Sequence, residues 1–185
     1  MHVLVIQSSP NVDGLTAACA DAAITGIGAA GGTSDNVRLN DLDLCACRQC
    51  GNGWGGCLSQ HICDGISDDF QDLHERVRQA DGLALVTPVY WGDLSESMKA
   101  FTDRLRRCEA TLRDESHLAG KPVLLVAAAG GGGGGMMSCL TNMERWTQHV
   151  RALPFDMIGI KRITRAHKLA TIRAAGETMA SATYV

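Results

Sequence analysis

The feature that most constrains this chain is an alternation of short apolar runs with stretches of helical spacing. Residues 3–6, 37–39, 83–87, 123–128 and 155–160 are mostly apolar and bounded by turn residues. Runs this short, without in-and-out alternation, suit strands covered on both faces. Between them, Phe70, Leu73 and Val77 share one helical face, with Ser67 placed as N-cap and Asp68 and Asp69 at the positive end of the helix dipole. Leu94, Met98, Phe101 and Leu105 form a second stripe, and Leu140, Met143 and Val150 a looser third. Residues 15–30 and 169–182 also read as helices. Strictly alternating strands and helices predict an α/β domain, a doubly wound five-stranded parallel sheet with helices on both faces. A length of 185 residues accommodates one such domain, spanning 1–185.

The formal charge of −3 provides no basic field for nucleic-acid phosphates, so no nucleic acid is expected as a partner. No apolar stretch approaches bilayer length, and the opening run lacks a basic flank or cleavage site. The expectation is a cytoplasmic protein with no membrane partner. Thiols stay reduced there, so the eight cysteines read as metal ligands or redox groups rather than disulfides.

A sheet of order 2-1-3-4-5 binds ligands beyond the carboxyl ends of its strands, at the point where the strand order reverses. All three connections expected there are unusual. After the first strand, Ser8, Ser9, Asn11, Gly14, Leu15 and Thr16 place hydroxyls, an amide and a glycine at a helix start. Such residues make an anion site, or simply a capped helix. After the third, Pro88, Val89, Tyr90, Trp91, Gly92 and Asp93 combine a rigid turn with two flat aromatic side chains, the lining of a planar-ligand slot. After the fourth, six consecutive glycines, Gly130 to Gly135, permit close backbone approach to a ligand, above all at Gly130, Gly131, Gly132 and Gly135. The G-x-G-x-x-G match inside this run is trivial and follows the wrong strand for a dinucleotide fingerprint.

Residues 8–16 resemble the G-S-P-R-x-x-G-x-T phosphate loop of NADPH-dependent FMN reductases and iron–sulfur flavoproteins. Thr87-Pro88-Val89-Tyr90-Trp91-Gly92, followed by Ser95, Lys99 and Asp103-Arg104, is similar to their T-P-V-Y-W-G-x-x-S-x-x-x-K-x-F-x-D-R signature. Gly120-Lys121-Pro122 and the glycine run fit the region around the fourth strand. The resemblance implies a flavodoxin-like fold. It implies FMN with its phosphate on Ser9, Asn11, Gly14, Leu15 and Thr16, and its ring against residues 88–92 and the glycine loop. Two departures stand out: Ser8 occupies the place of the usual glycine, and Asn11 that of the usual arginine.

Residues 40–66 break the alternation. They hold five cysteines and have no sustained periodicity, and a loop of this length without regular structure is usually functional. Cys47, Cys50, Cys57 and Cys63, spaced x2, x6 and x5, supply four thiols, with Cys45 a possible fifth. Four cysteines in a glycine-rich loop suit a four-iron four-sulfur (4Fe-4S) cluster or tetrahedral zinc, or remain unliganded. Iron–sulfur flavoproteins carry a C-x2-C-x2-C-x4–7-C motif in this loop, from which this sequence departs at the second interval, x6 in place of x2. Cys19, Cys108 and Cys139 fall in helical patterns and read as packing residues.

No Ser/His/Asp arrangement is visible and no catalytic side chain is assigned, since a flavin carries the redox chemistry itself. The leading expectation is an FMN-dependent oxidoreductase that takes electrons from NAD(P)H or a ferredoxin-like donor. A small molecule or quinone accepts them, directly or through a cluster. The alternatives are a flavodoxin-type electron carrier without its own substrate and a zinc-stabilised α/β binding module. Family resemblance, with Trp54 and Trp91 reading as surface residues, implies a homodimer or homotetramer.

Overall fold

The computed structural model describes residues 1–183; residues 184 and 185, the end of the expected 1–185 domain, lie outside the described residues. Five strands, β1 (His2–Gln7), β2 (Thr33–Arg38), β3 (Gly82–Pro88), β4 (Pro122–Ala129) and β5 (Leu153–Lys161), form one sheet. Its order is β2-β1-β3-β4-β5 and every pairing is parallel, as the alternation predicts. Five main helices follow the strands: α1 (Leu15–Ala29), α2 (Phe70–Gln79), α3 (Glu96–Glu109), α4 (Met136–His149) and α5 (Arg165–Ser181).

Strand side chains alternate between two cores. Val3, Val5, Ala84, Val86, Leu124 and Val126 face α1 and α5, packing on Cys19, Ile27, Ile172 and Met179. Leu4, Ile6, Leu83, Leu85, Val123 and Leu125 face the other helices, against Phe70, Leu73, Phe101, Leu105 and Met143. Leu124 and Leu125 are neighbours in sequence on opposite faces, and both are fully buried. Each such side chain contributes about 1.5–3 kcal/mol of transfer free energy. This two-sided burial is why β1, β3 and β4 read as unalternated apolar runs.

The edge strands depart from the sequence expectation. β2 begins at Thr33, four residues before the expected 37–39, and Leu39 instead opens a short 3-10 turn, Leu39–Asp41. Only Val37 of β2 is buried, because the sheet edge leaves the rest exposed or half-buried and the ladder to β1 holds the polar residues extended. β5, at the opposite edge, runs longer than the expected 155–160. The N-terminus of α2 also differs. Asp69, not Ser67, occupies the N-cap position, and the Asp68 carboxylate accepts the Phe70 N–H at 3.2 Å. Among the described residues, no helix is long and apolar enough to cross a membrane.

Candidate functional site

The carboxyl ends of β1, β3 and β4 bring residues 8–14, 89–95 and 130–135 to one edge of the sheet. The first loop leads into α1 through Gly14, and no side chain caps this helix and no acidic residue sits in its first turn. Its leading N–H groups are therefore open to an anion, and the helix dipole favours one. The buried Ser9 hydroxyl donates to the Asn11 carbonyl at 2.6 Å and accepts the Asn11 N–H at 3.3 Å, which shapes the turn. Among the described residues, neither the Thr16 hydroxyl nor the side-chain amide of Asn11 has a hydrogen-bond partner. The only charged side chain of residues 8–16 is Asp13, so an anion here relies on backbone dipoles and hydroxyls rather than on a cation.

In the second loop, Tyr90 and Asp93 exchange backbone hydrogen bonds, both 2.9 Å, closing a tight turn over Trp91 and Gly92. Trp91 has φ +50° and Gly92 φ +82°, the two positive angles of a type I′ turn. Such an angle suits glycine but strains tryptophan by about 1–3 kcal/mol. Trp91 is fully exposed and Tyr90 partly so, so among the described residues no burial offsets that strain. The Asp93 carboxylate accepts the Leu94 N–H at 2.8 Å and the Asn142 amide at 3.0 Å, tying the turn to α4.

The glycine loop meets this turn directly. A Cβ on Gly135 would overlap the Gly92 Cα, so the contact between the two loops requires glycine at 135, while Gly92 is required by its positive φ. By contrast Gly131 and Gly132 face open space. Trp91, Gly92, Gly134, Gly135 and Ser138 line a shallow cavity of about 450 Å³. Val12, on the β1 loop, and Met137, in the first turn of α4, are exposed apolar residues of the same sheet edge. Neither was identified from sequence, because a single exposed apolar residue carries no signal before its neighbours are known.

The cysteine loop contains two short helical turns, Cys50–Gly53 and Gly56–Ser59. Cys47, Cys50, Cys57 and Cys63 line one cavity together with Arg104 and Arg107. Gly65 leaves room for the Cys50 sulfur, which a Cβ there would strike. Among the described residues, no three His, Cys, Asp or Glu side chains converge as ligands of a single ion. Four thiols on one cavity equal the ligand count of a four-iron cluster, and the cationic side chains beside them would offset thiolate charge.

Arg104 stands in the sequence only as part of the family signature, and its role in holding this loop is not legible there. Arg104, on α3, is buried and donates to both Asp68 carboxylate oxygens, at 2.5 and 2.9 Å. It also donates to the Cys45 carbonyl at 3.0 Å and to the Cys63 sulfur at 3.2 and 3.3 Å. Its guanidinium lies 4.1 Å from the Phe70 ring centroid. Burial alone would raise the Asp68 carboxyl, but hydrogen bonds from Arg104 and from the Cys45 and Phe70 N–H groups hold it below its usual range. Burial pushes the Cys63 thiol up, against the opposing hydrogen bonds from Arg104. Cys19, Cys108 and Cys139 are fully buried, each thiol pushed up to about 12 by burial, as befits packing residues. Trp54 is exposed and stacks under the Arg107 guanidinium at 4.4 Å.

Residues 1–156 match the family model of NADPH-dependent FMN reductase. The chain belongs to this family. Among curated relatives of this FMN reductase family member, an iron–sulfur flavoprotein of Methanosarcina thermophila is 33% identical over 85 residues, 44% of the chain and 42% of the relative. An iron–sulfur flavoprotein of Methanocaldococcus jannaschii is 31% identical over 106 residues, 57% of the chain and 52% of the relative. The chain thus spans about half the length of the curated relatives it matches. Among solved structures, an NAD(P)H:quinone oxidoreductase from Methanothermobacter marburgensis superposes with TM-score 0.75 at 19% identity, covering 100% of the chain and 98% of the other. An archaeal flavodoxin gives TM-score 0.65 at 14% identity, covering 97% and 96%. At these identities the structural matches show that the family member has the flavodoxin-like fold.

Proposed function

We propose that this chain, acting as one domain over 1–185, is an FMN-dependent oxidoreductase of the NAD(P)H:FMN or quinone reductase type in the cytoplasm. The observation that carries the reading is the uncapped start of α1, with an unpartnered Thr16 hydroxyl, at the same sheet edge as the Gly92–Gly135 contact. FMN, when bound, supplies a two-electron acceptor that can release electrons one at a time. The chain binds its phosphate through the backbone of Gly14, Leu15 and Thr16 and the side chains of Ser9, Asn11 and Thr16. It orients the ring with residues 88–93 and with Gly130, Gly131, Gly132 and Gly135. Exposed Tyr90, Trp91, Val12 and Met137 exclude water from the ring face when a substrate or a second copy covers it. A homodimer or homotetramer would also offset the strain and exposure of Trp91.

Steady-state assay of the FMN-loaded chain with NAD(P)H and a quinone tests this reading. Many turnovers per flavin support an enzyme. Reduction that stops at one equivalent supports the flavodoxin-type carrier instead.

The shared cavity of Cys47, Cys50, Cys57 and Cys63 favours a second centre, a 4Fe-4S cluster that exchanges electrons with FMN. A ferredoxin-like donor would then reach the flavin through it. Anaerobic reconstitution giving about four irons per chain supports the cluster. Stoichiometric zinc, or no metal, leaves an FMN reductase with an unliganded loop.

A further inference from the structure

Behind the phosphate and ring loops lies a buried group of three hydroxyls. Ser8, at the end of β1, is 1% exposed, Thr87, on β3, 0% and Ser95, the N-cap of α3, 3%. The Ser95 hydroxyl donates to the Ser8 oxygen at 2.8 Å, and the Ser8 hydroxyl donates to the Thr87 oxygen at 3.1 Å. The Thr87 hydroxyl donates onward to the Pro88 carbonyl at 3.0 Å, and its oxygen accepts the Ser95 N–H at 3.1 Å. Each hydroxyl has one proton, and this direction gives every proton one acceptor. The Ser8 N–H adds a bond to the Val86 carbonyl at 3.1 Å.

We infer that Ser8 is a positioning residue that couples the phosphate loop to the ring loop, so that an anion at the start of α1 tightens binding of the flavin ring. The inference rests on the FMN reading above. Ser8 is the first residue of the loop that would bind phosphate, and Pro88 the first that would meet the ring. The Ser8 and Thr87 hydroxyls are the side-chain bridge between them. Ordering residues 9–16 around an anion fixes Ser8, which fixes Thr87 and hence the Pro88 carbonyl. Buried hydroxyl chains transmit such order because breaking one member leaves its neighbours without a partner. Glycine, the usual residue at position 8 in the family signature, cannot form this bridge.

The test separates the two halves of the cofactor. Riboflavin, which lacks the phosphate, is titrated with and without inorganic phosphate at matched ionic strength. The proteins are the parent chain, Ser8→Ala, Thr87→Val and Thr87→Ser. The expected result is that inorganic phosphate strengthens riboflavin binding about fivefold or more in the parent and Thr87→Ser, and less than about twofold in the other two. Thermal unfolding of each variant identifies any that fails to fold, and the hydroxyl-retaining Thr87→Ser distinguishes coupling from general destabilisation. Equal phosphate coupling in the parent and in a folded Ser8→Ala or Thr87→Val overturns the inference, as does a parent that binds FMN but shows no coupling. A parent that binds neither FMN nor riboflavin overturns the FMN reading, and this inference with it.

Discussion

Replacing Arg104 with methionine should be among the most destabilising single changes in the chain, because it removes one half of a buried ion pair. Both side chains of the Arg104–Asp68 pair are 1% exposed, so water cannot compensate the carboxylate left behind. Removing one partner of such a pair costs about 3–5 kcal/mol. The stack on Phe70 adds about 0.5–2 kcal/mol, and the Cys45 carbonyl loses a charge-assisted donor. A loss of about 4 kcal/mol is therefore expected for Arg104→Met, from a stability that for such domains is about 5–15 kcal/mol. Asp68→Asn in the same chain removes the orphaned charge while retaining an oxygen for the Cys45 or Phe70 N–H. The double variant should recover about 2 kcal/mol relative to the sum of the single losses. Urea unfolding of the metal-free, reduced chain, followed by far-UV circular dichroism, measures all four corners of the cycle. A loss below about 1 kcal/mol for Arg104→Met, or strictly additive losses, would refute the argument that this pair anchors the loop.

Acid stability should depend on Glu109. Burial would raise its carboxyl, but hydrogen bonds from His74, Ser116 and the His117 N–H prevail and hold it at about 2. Arg78 stands 3.5 Å away. A depressed carboxylate stabilises the fold fully above its unfolded value near 4.5, and that stability is lost as pH falls towards 2. Thermal unfolding between pH 5 and 3 should therefore show a smaller fall for Glu109→Gln than for the parent, and parallel curves would count against it. Trp91→Gly relieves the positive φ at no cost in burial, so it should raise stability by about 1 kcal/mol while weakening flavin binding. A destabilised Trp91→Gly would show that the side chain packs in solution. Cys50→Ser should abolish iron uptake on anaerobic reconstitution and leave FMN binding intact; retained iron would remove Cys50 from the ligand set.

The sequence revealed the parts whose cause is local. β1, β3 and β4 were legible because burial on both faces leaves no alternation, and their loops because glycine, proline and hydroxyl residues mark special backbone positions. Of β2 only its end was legible, since its polar residues 33–36 are extended only through the ladder to β1. The same limit hid the site's supports. Arg104 and Asp68 lie 36 residues apart, and Ser8 and Ser95 lie 87 apart, so no pattern along the chain could join them. Ser8 was visible as a departure from the family loop, but its use appears only once α3 and β3 stand beside it. The strain at Trp91 was equally hidden, because the turn that imposes it depends on where Asp93 is held.

The central claim, that FMN binds by its phosphate at the start of α1, is tested most directly by titrating FMN into the flavin-free chain and following the quenching of its fluorescence. The account predicts one FMN per chain, and a loss of about tenfold or more in affinity for Thr16→Ala, because a charge-assisted hydrogen bond contributes about 1.5–3 kcal/mol. Riboflavin should bind more weakly than FMN to the parent and be nearly indifferent to Thr16→Ala. No saturable quenching by FMN, or equal affinity for FMN and riboflavin, would contradict it.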